Sequence, residues 1–156
     1  MPATLFDSSA WIALAFSSHP GYAAARAVFE AAHSSAPVAV CRATQLSFLR
    51  LVTTPIIQKT YRSEPIDNAL AWRKWEGIAS LPQILFLPEP KGIETRWKQF
   101  AALKSAAPKR WMDAYLAAFA LTYGIQIAGF DRDFSRFKGL RFLDLGQDCI
   151  GAQAQA

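Results

Sequence analysis

The chain has 156 residues, 52% of them apolar and 13% aromatic, which suits one globular domain with a real core and excludes a disordered chain. Seventeen basic residues against twelve acidic give a net charge of +5, the balance of a small domain that meets a polyanion. No apolar run approaches the roughly 18–20 residues that span a bilayer, and Asp7 interrupts an N-terminal stretch that lacks a basic leader. The expectation is therefore a cytoplasmic protein with no membrane partner, in which the widely spaced Cys41 and Cys149 are reduced thiols.

In chain order, residues 3–6 read as a strand and 8–17 as a helix, with Ser8 or Ser9 as its N-cap. His19-Pro20-Gly21 is a break, residues 22–32 form an alanine-rich helix, and 38–40 a second strand. Leu46, Leu49 and Val52 have helical spacing from Thr44 onward, and Pro55 ends that helix. Residues 56–63 read as a loop, and Ser63-Glu64-Pro65 as the start of a helix to about Ala79, with Ser63 as N-cap. A strand over 84–87, a helix over 91–104 and a helix opened by Pro108 and closed by Gly124 follow. Residues 125–128 form the fourth strand, 132–138 a turn or short helix, and 140–143 a last strand, before a frayed tail. Short apolar strands alternating with amphipathic helices predict a mostly parallel sheet covered on both faces, with ligand sites at the carboxyl ends of its strands.

Three aspartates fall at strand–helix junctions. Asp7 ends the first apolar run, Asp131 follows the fourth, and Asp113 lies in the first turn of the helix after Pro108. Each has a capping or helix-dipole explanation of its own. Gathered on one sheet edge they would repel one another unless a cation joined them, and Mg²⁺ or Mn²⁺ prefers such oxygen ligands. Metal-assisted phosphodiester hydrolysis is the leading chemistry. Ser9 offers a hydroxyl beside Asp7 or a cap, with the cap preferred, and Asp133 is either a further acid of the site or a solvated charge. The two histidines have no metal-ligand spacing, and GxSxG, P-loop and GxGxxG motifs are absent. Basic residues alternate with tryptophan at Trp72-Arg73-Lys74-Trp75, Arg96-Trp97-Lys98 and Lys109-Arg110-Trp111. They offer phosphate contacts with base stacking, or helices that bury Trp and leave the charge in water.

Four segments in order carry a resemblance: Leu5-Phe6-Asp7-Ser8-Ser9-Ala10-Trp11, the run from Cys41 to Pro55, Asp113-Ala114-Tyr115-Leu116-Ala117-Ala118, and Gly129-Phe130-Asp131-Arg132-Asp133-Phe134. The chain resembles PIN-domain ribonucleases, and among them the VapC toxins of bacterial VapBC toxin–antitoxin systems. The resemblance implies a three-layer α/β/α sandwich around a mostly parallel sheet, as one domain over 1–146 with a flexible tail over 147–156. It implies an endoribonuclease dependent on Mg²⁺ or Mn²⁺ and acting on tRNA, rRNA or mRNA. It further implies a homodimer, and a VapB-type antitoxin whose C-terminal segment covers the site. Asp7, Asp113 and Asp131 would be the metal-site acids. Ser9, Gln45 and Asp133 are candidates behind them, Gln45 being otherwise a helix surface amide, and Lys109, Arg110 and Arg132 are candidates toward RNA, as is Arg50, which could instead pair with an acid or be an exposed helix arginine. Two positions depart from the family pattern. Gln45 stands where many members carry Glu, and Gly129 where Thr or Ser is common. These departures leave open an alternative, a PIN-fold module that binds RNA or a protein partner without cleavage. A nuclease acting on DNA flaps would need a clamp domain for which the chain has no room.

Overall fold

The computed structural model describes residues 2–147. The expected tail, 147–156, and Cys149 fall outside the described residues save for Gln147. Five short strands form one sheet: β1 (Thr4–Phe6), β2 (Val38–Val40), β3 (Ile84–Phe86), β4 (Gln126–Gly129) and β5 (Phe142–Asp144). Their order is β3-β2-β1-β4-β5, and every pair is parallel. Among the described residues the connections from β1 to β4 hold α1 (Ser8–Ala15), α2 (Tyr22–Ala31), α3 (Arg42–Val52), α4 (Pro55–Thr60), α5 (Asn68–Ala79), α6 (Ile93–Ala101) and α7 (Arg110–Tyr123), and a 3₁₀ turn (Arg132–Arg136) joins β4 to β5.

Alternation along the strands builds two cores. Leu5, Ala39 and Ile127 face α7, packing with Leu116, Phe119 and Phe134. Phe6, Val40 and Ala128 face the other way, onto Trp11, Phe48 and Trp75 of α1, α3 and α5. Trp11 is the hub of that layer, its ring centroid 5.4 Å from Phe6 and 6.0 Å from both Phe48 and Trp75. With both faces covered, β1 and β2 are buried at every residue, as the continuous apolar runs require. The result is the expected three-layer α/β/α sandwich.

The chain leaves β1 toward β2 and β3, then returns to add β4 and β5 on the opposite side. The reversal makes the carboxyl ends of β1 and β4 a topological switch point, the place where open α/β sheets bind their ligands. Register holds the two ends level. Phe6 pairs with Ala128, and the Asp7 N–H continues the ladder to the Ala128 carbonyl at 3.1 Å.

Two expected boundaries move. Residues 56–63 contain the short helix α4, because Pro55 sits at its first position with φ already fixed for a helix. The following helix begins at Asn68, not at Ser63. Pro65 disfavours helical backbone at Glu64, and the Asp67 carboxylate takes the cap, accepting from the Leu70 N–H at 2.7 Å. The Ser63 hydroxyl instead donates to the Glu64 carbonyl. Gly124 closes α7 in the left-handed region at φ +66°, as its sequence position suggests. Replacing Asp67 by Ala should cost about 1 kcal/mol of stability in denaturant unfolding, whereas Ser63→Ala should leave the midpoint unchanged.

Candidate active site

Asp7 leaves β1 and caps α1. Its Oδ1 accepts from the Ala10 N–H at 2.8 Å and from the Ser9 hydroxyl at 2.7 Å. Ser8 and Ser9 are therefore inside the helix, and neither is its cap. The Ser9 oxygen in turn accepts from the Phe130 N–H at 2.9 Å, so one hydroxyl ties the end of β1 to the backbone just past β4. The Asp7 carboxylate lies against Gly129. A Cβ there would stand no more than 2.6 Å from all three carboxyl atoms. Asp7 is only 4% exposed, and burial lifts its pKa to about 6 against the opposing bonds from Ser9 and Ala10, with the charges of Asp113 and Asp131 adding to the rise.

Asp131 follows β4 and uses its Oδ1 in the same manner, accepting from the Asp133 N–H at 3.0 Å to cap the 3₁₀ turn Arg132–Arg136. Its Oδ2 takes the Lys109 ammonium. Partial burial pushes the Asp131 carboxyl up, but Lys109 and the Asp133 N–H outweigh it and hold it below the ordinary value. Asp113, half-buried in the first turn of α7, has no side-chain hydrogen bond among the described residues. Burial raises its pKa, helped by the charges of Asp131 and Asp133 and opposed by Lys109 and Arg110. The three carboxylates are thus near enough to act on one another's charge.

This donor set suits a hard divalent cation. It consists of carboxylate oxygens: Asp7 and Asp131 each commit Oδ1 to the backbone, Asp7 Oδ2 has no hydrogen bond among the described residues, and Asp131 Oδ2 is on the Lys109 ammonium. Among the described residues, however, no three acids converge closely enough to hold an ion between them as placed.

The remaining candidates are distributed unevenly. Gln45 is buried in the first turn of α3, and its Oε1 accepts from Arg42, whose guanidinium also lies over the Phe86 ring at 5.0 Å. Asp133 pairs with Arg136 at 3.5 Å. Arg132 pairs with Asp144 at 2.8 Å. Arg110 donates to the Phe100 carbonyl at 2.9 Å and stacks on Phe137 at 4.3 Å, so it fastens α7 to α6. Arg50 is exposed, five residues and about 140° around α3 from Gln45, hence on another face. Of the tryptophans beside basic residues, Trp75 is core, while Trp72 and Trp111 are about half exposed. Sequence reasoning missed Arg42 and Asp144. Asp144 had a signal, since it ends an apolar run as Asp7 does, and its strand register places it beside Gly129.

The PIN-domain sequence profile matches residues 4–140. VapBC-1 from nontypeable Haemophilus influenzae superposes with TM-score 0.64 at 15% identity, over 92% of this chain and 98% of that one. VapC20 of Mycobacterium tuberculosis, a sarcin–ricin loop cleaving toxin, gives 0.63 at 16%, over 85% and 93%. Both likenesses support the fold. Ribonuclease VapC41 of Mycobacterium tuberculosis (strains CDC 1551 / Oshkosh and ATCC 25618 / H37Rv) is 40% identical over 137 residues, 87% of this chain and 94% of the relative. The chain belongs to the PIN-domain family, in its VapC ribonuclease branch.

Two outcomes test the placement of Asp7. Its folded pKa of about 6 lies above the ordinary 3.8, so the folded state keeps a proton that the unfolded chain loses. Stability is therefore lost as pH rises from about 4 through 6, on the order of 3 kcal/mol once complete. Asp7→Asn keeps a capping oxygen without the charge. In chelator it should melt several degrees above the parent at pH 7.5 and level with it at pH 4. Gly129→Ala, by contrast, should displace the carboxylate, weakening Mn²⁺ binding in calorimetry about tenfold or more and costing about 1–3 kcal/mol of stability.

Proposed function

We propose that this chain is the endoribonuclease toxin of a type II toxin–antitoxin module, using Mg²⁺ or Mn²⁺ to hydrolyse RNA phosphodiesters. One observation supports the reading: Asp7 and Asp131 follow the adjacent strands β1 and β4 at the switch point, and both lie within electrostatic reach of Asp113. The 40% identical relative that bears the name ribonuclease VapC41 agrees with it. Asp7, Asp113 and Asp131 would hold the divalent ion, which when bound would supply Lewis-acid polarisation of the phosphodiester and a more acidic water, so that hydrolysis would need no covalent intermediate on the enzyme.

The chain's own residues do the rest. Asp7 ionises above about pH 6 and then offers a buried anionic oxygen. Ser9 keeps that carboxylate from rotating. Asp113 enters from α7 without a competing donor among the described residues. Asp133 adds negative charge behind Asp131. Lys109, Arg132 and the more distant Arg50 supply cationic surface for a tRNA, rRNA or mRNA substrate, with Arg110 positioning the start of α7.

Partner surfaces fit the same reading. Trp11, Phe48, Val52, Ile66, Ile78 and Leu81 line an apolar cavity of about 360 Å³, and the buried Trp11 Nε1 has no hydrogen-bond partner there among the described residues. Such a surface suits an apolar segment of a VapB-type antitoxin; VapBC complexes from Haemophilus influenzae and Salmonella typhimurium share the fold. Exposed Trp111 and Met112 give a second apolar face, suited to a homodimer. No helix among the described residues is long and apolar enough to cross a membrane, and the proposed reaction places the protein in the cytoplasm with its RNA.

A second reading has its own support. Arg42 engages the Gln45 carbonyl, and the acids do not close on one point, as in a PIN module that binds RNA or protein without cutting. One experiment separates the two. Purified protein should cleave a structured RNA with Mn²⁺, stop on addition of chelator, and lose about 100-fold or more of its rate in Asp7→Asn. Equal cleavage by parent and variant would reveal a contaminating nuclease, and RNA binding with no response to millimolar Mn²⁺ would establish the binding module.

A further inference from the structure

The two capping acids of the site differ in what meets their second oxygen. Asp7 Oδ2 lies against Gly129, with no hydrogen bond among the described residues. Asp131 Oδ2 is held by the Lys109 ammonium. The other basic side chains near the site are spent elsewhere: Arg110 on the Phe100 carbonyl and Phe137 ring, Arg136 on Asp133, Arg132 on Asp144. Among the described residues, Lys109 is the basic group whose partner is itself a candidate metal ligand.

Its setting allows that partner to change. Lys109 ends the connection between α6 and α7, in which residues 102–106 are all exposed. The Lys109 side chain is 70% exposed against 25% for Asp131. An ion pair so open to water is weak, and a four-carbon stem lets the ammonium leave without moving the backbone. Asp113 and Asp133 also lie within electrostatic reach of Lys109, so its charge offsets three carboxylates together.

We infer that Lys109 is a resident counter-cation of the acidic site. It holds Asp131 Oδ2 before a divalent ion arrives, yields that oxygen to the ion, and is then free for a substrate phosphate. The inference rests on reading Asp7, Asp113 and Asp131 as metal ligands. It makes Lys109 a positioning residue that competes with the metal, and it couples the two ligands. RNA that draws Lys109 off Asp131 tightens metal binding, and the metal tightens RNA by the same factor.

The test is Mn²⁺ calorimetry on chelator-stripped parent, Lys109→Met and Lys109→Arg, each checked for an unchanged thermal midpoint. Lys109→Met keeps the apolar stem and should bind Mn²⁺ at least about threefold tighter than the parent, because a competing charge is gone. Lys109→Arg keeps the charge and should bind as the parent does. A 2′-deoxy-substituted RNA oligonucleotide should tighten Mn²⁺ binding to the parent and have a smaller effect on Lys109→Met. Unchanged or weaker Mn²⁺ binding by Lys109→Met, beside a parent that binds normally, overturns the counter-cation role alone. Equal tightening in Met and Arg variants also overturns it, since the loop and not the charge would then be responsible. If neither parent nor Lys109→Met binds Mn²⁺, the reading of the three acids as metal ligands fails, and the inference with it.

Discussion

The structure depends on one buried carboxylate that serves two neighbours at once. Asp7 starts α1 through Ala10 and is linked through the Ser9 hydroxyl to the Phe130 N–H beyond β4. Those bonds tie the ends of β1 and β4 together at the point where the sheet reverses its direction of growth. They are not sufficient to make the charge comfortable, since burial still lifts the pKa to about 6. An anion held in a place it disfavours is the condition under which a cation binds well, and the fold bears that strain in its most buried layer.

Charge elsewhere follows a different logic. The net excess of +5 is not a uniform field. Arg132, Arg136 and Lys109 each answer an acid on the rim, so positive and negative groups alternate around the switch point. A polyanion approaching this edge meets neutralised pairs that can exchange partners. Arg42 lies over the Phe86 ring at the end of β3, and Trp111 is about half exposed.

Much of this was legible in the sequence, and the rest was hidden for identifiable reasons. Apolar runs of three or four residues alternating with helical spacing marked the strands and the layers, because burial on both faces leaves little choice of residue. The three junction acids were legible by the same logic, each being the first acid after a buried stretch or a helix start. Local competition was not. Asp67 and Ser63 both carry a capping signature, and the decision fell to Pro65, which acts on the residue before it. Ser9 looked like a cap because caps are usually short polar residues; Asp7 took that role and left Ser9 to bridge two strand ends. Pairings such as Arg42 with Gln45 or Lys109 with Asp131 join side chains whose meeting depends on the finished fold, and no periodicity foretells them.

Gly129 gives the site its shape. It ends β4, and the hydroxyl beside the first acid comes from Ser9 on α1. A side chain at 129 and the present Asp7 rotamer exclude each other in space. The volume of one methyl group at 129 would therefore push the acid aside, and with it the Ser9 hydroxyl that joins the end of β1 to the Phe130 N–H.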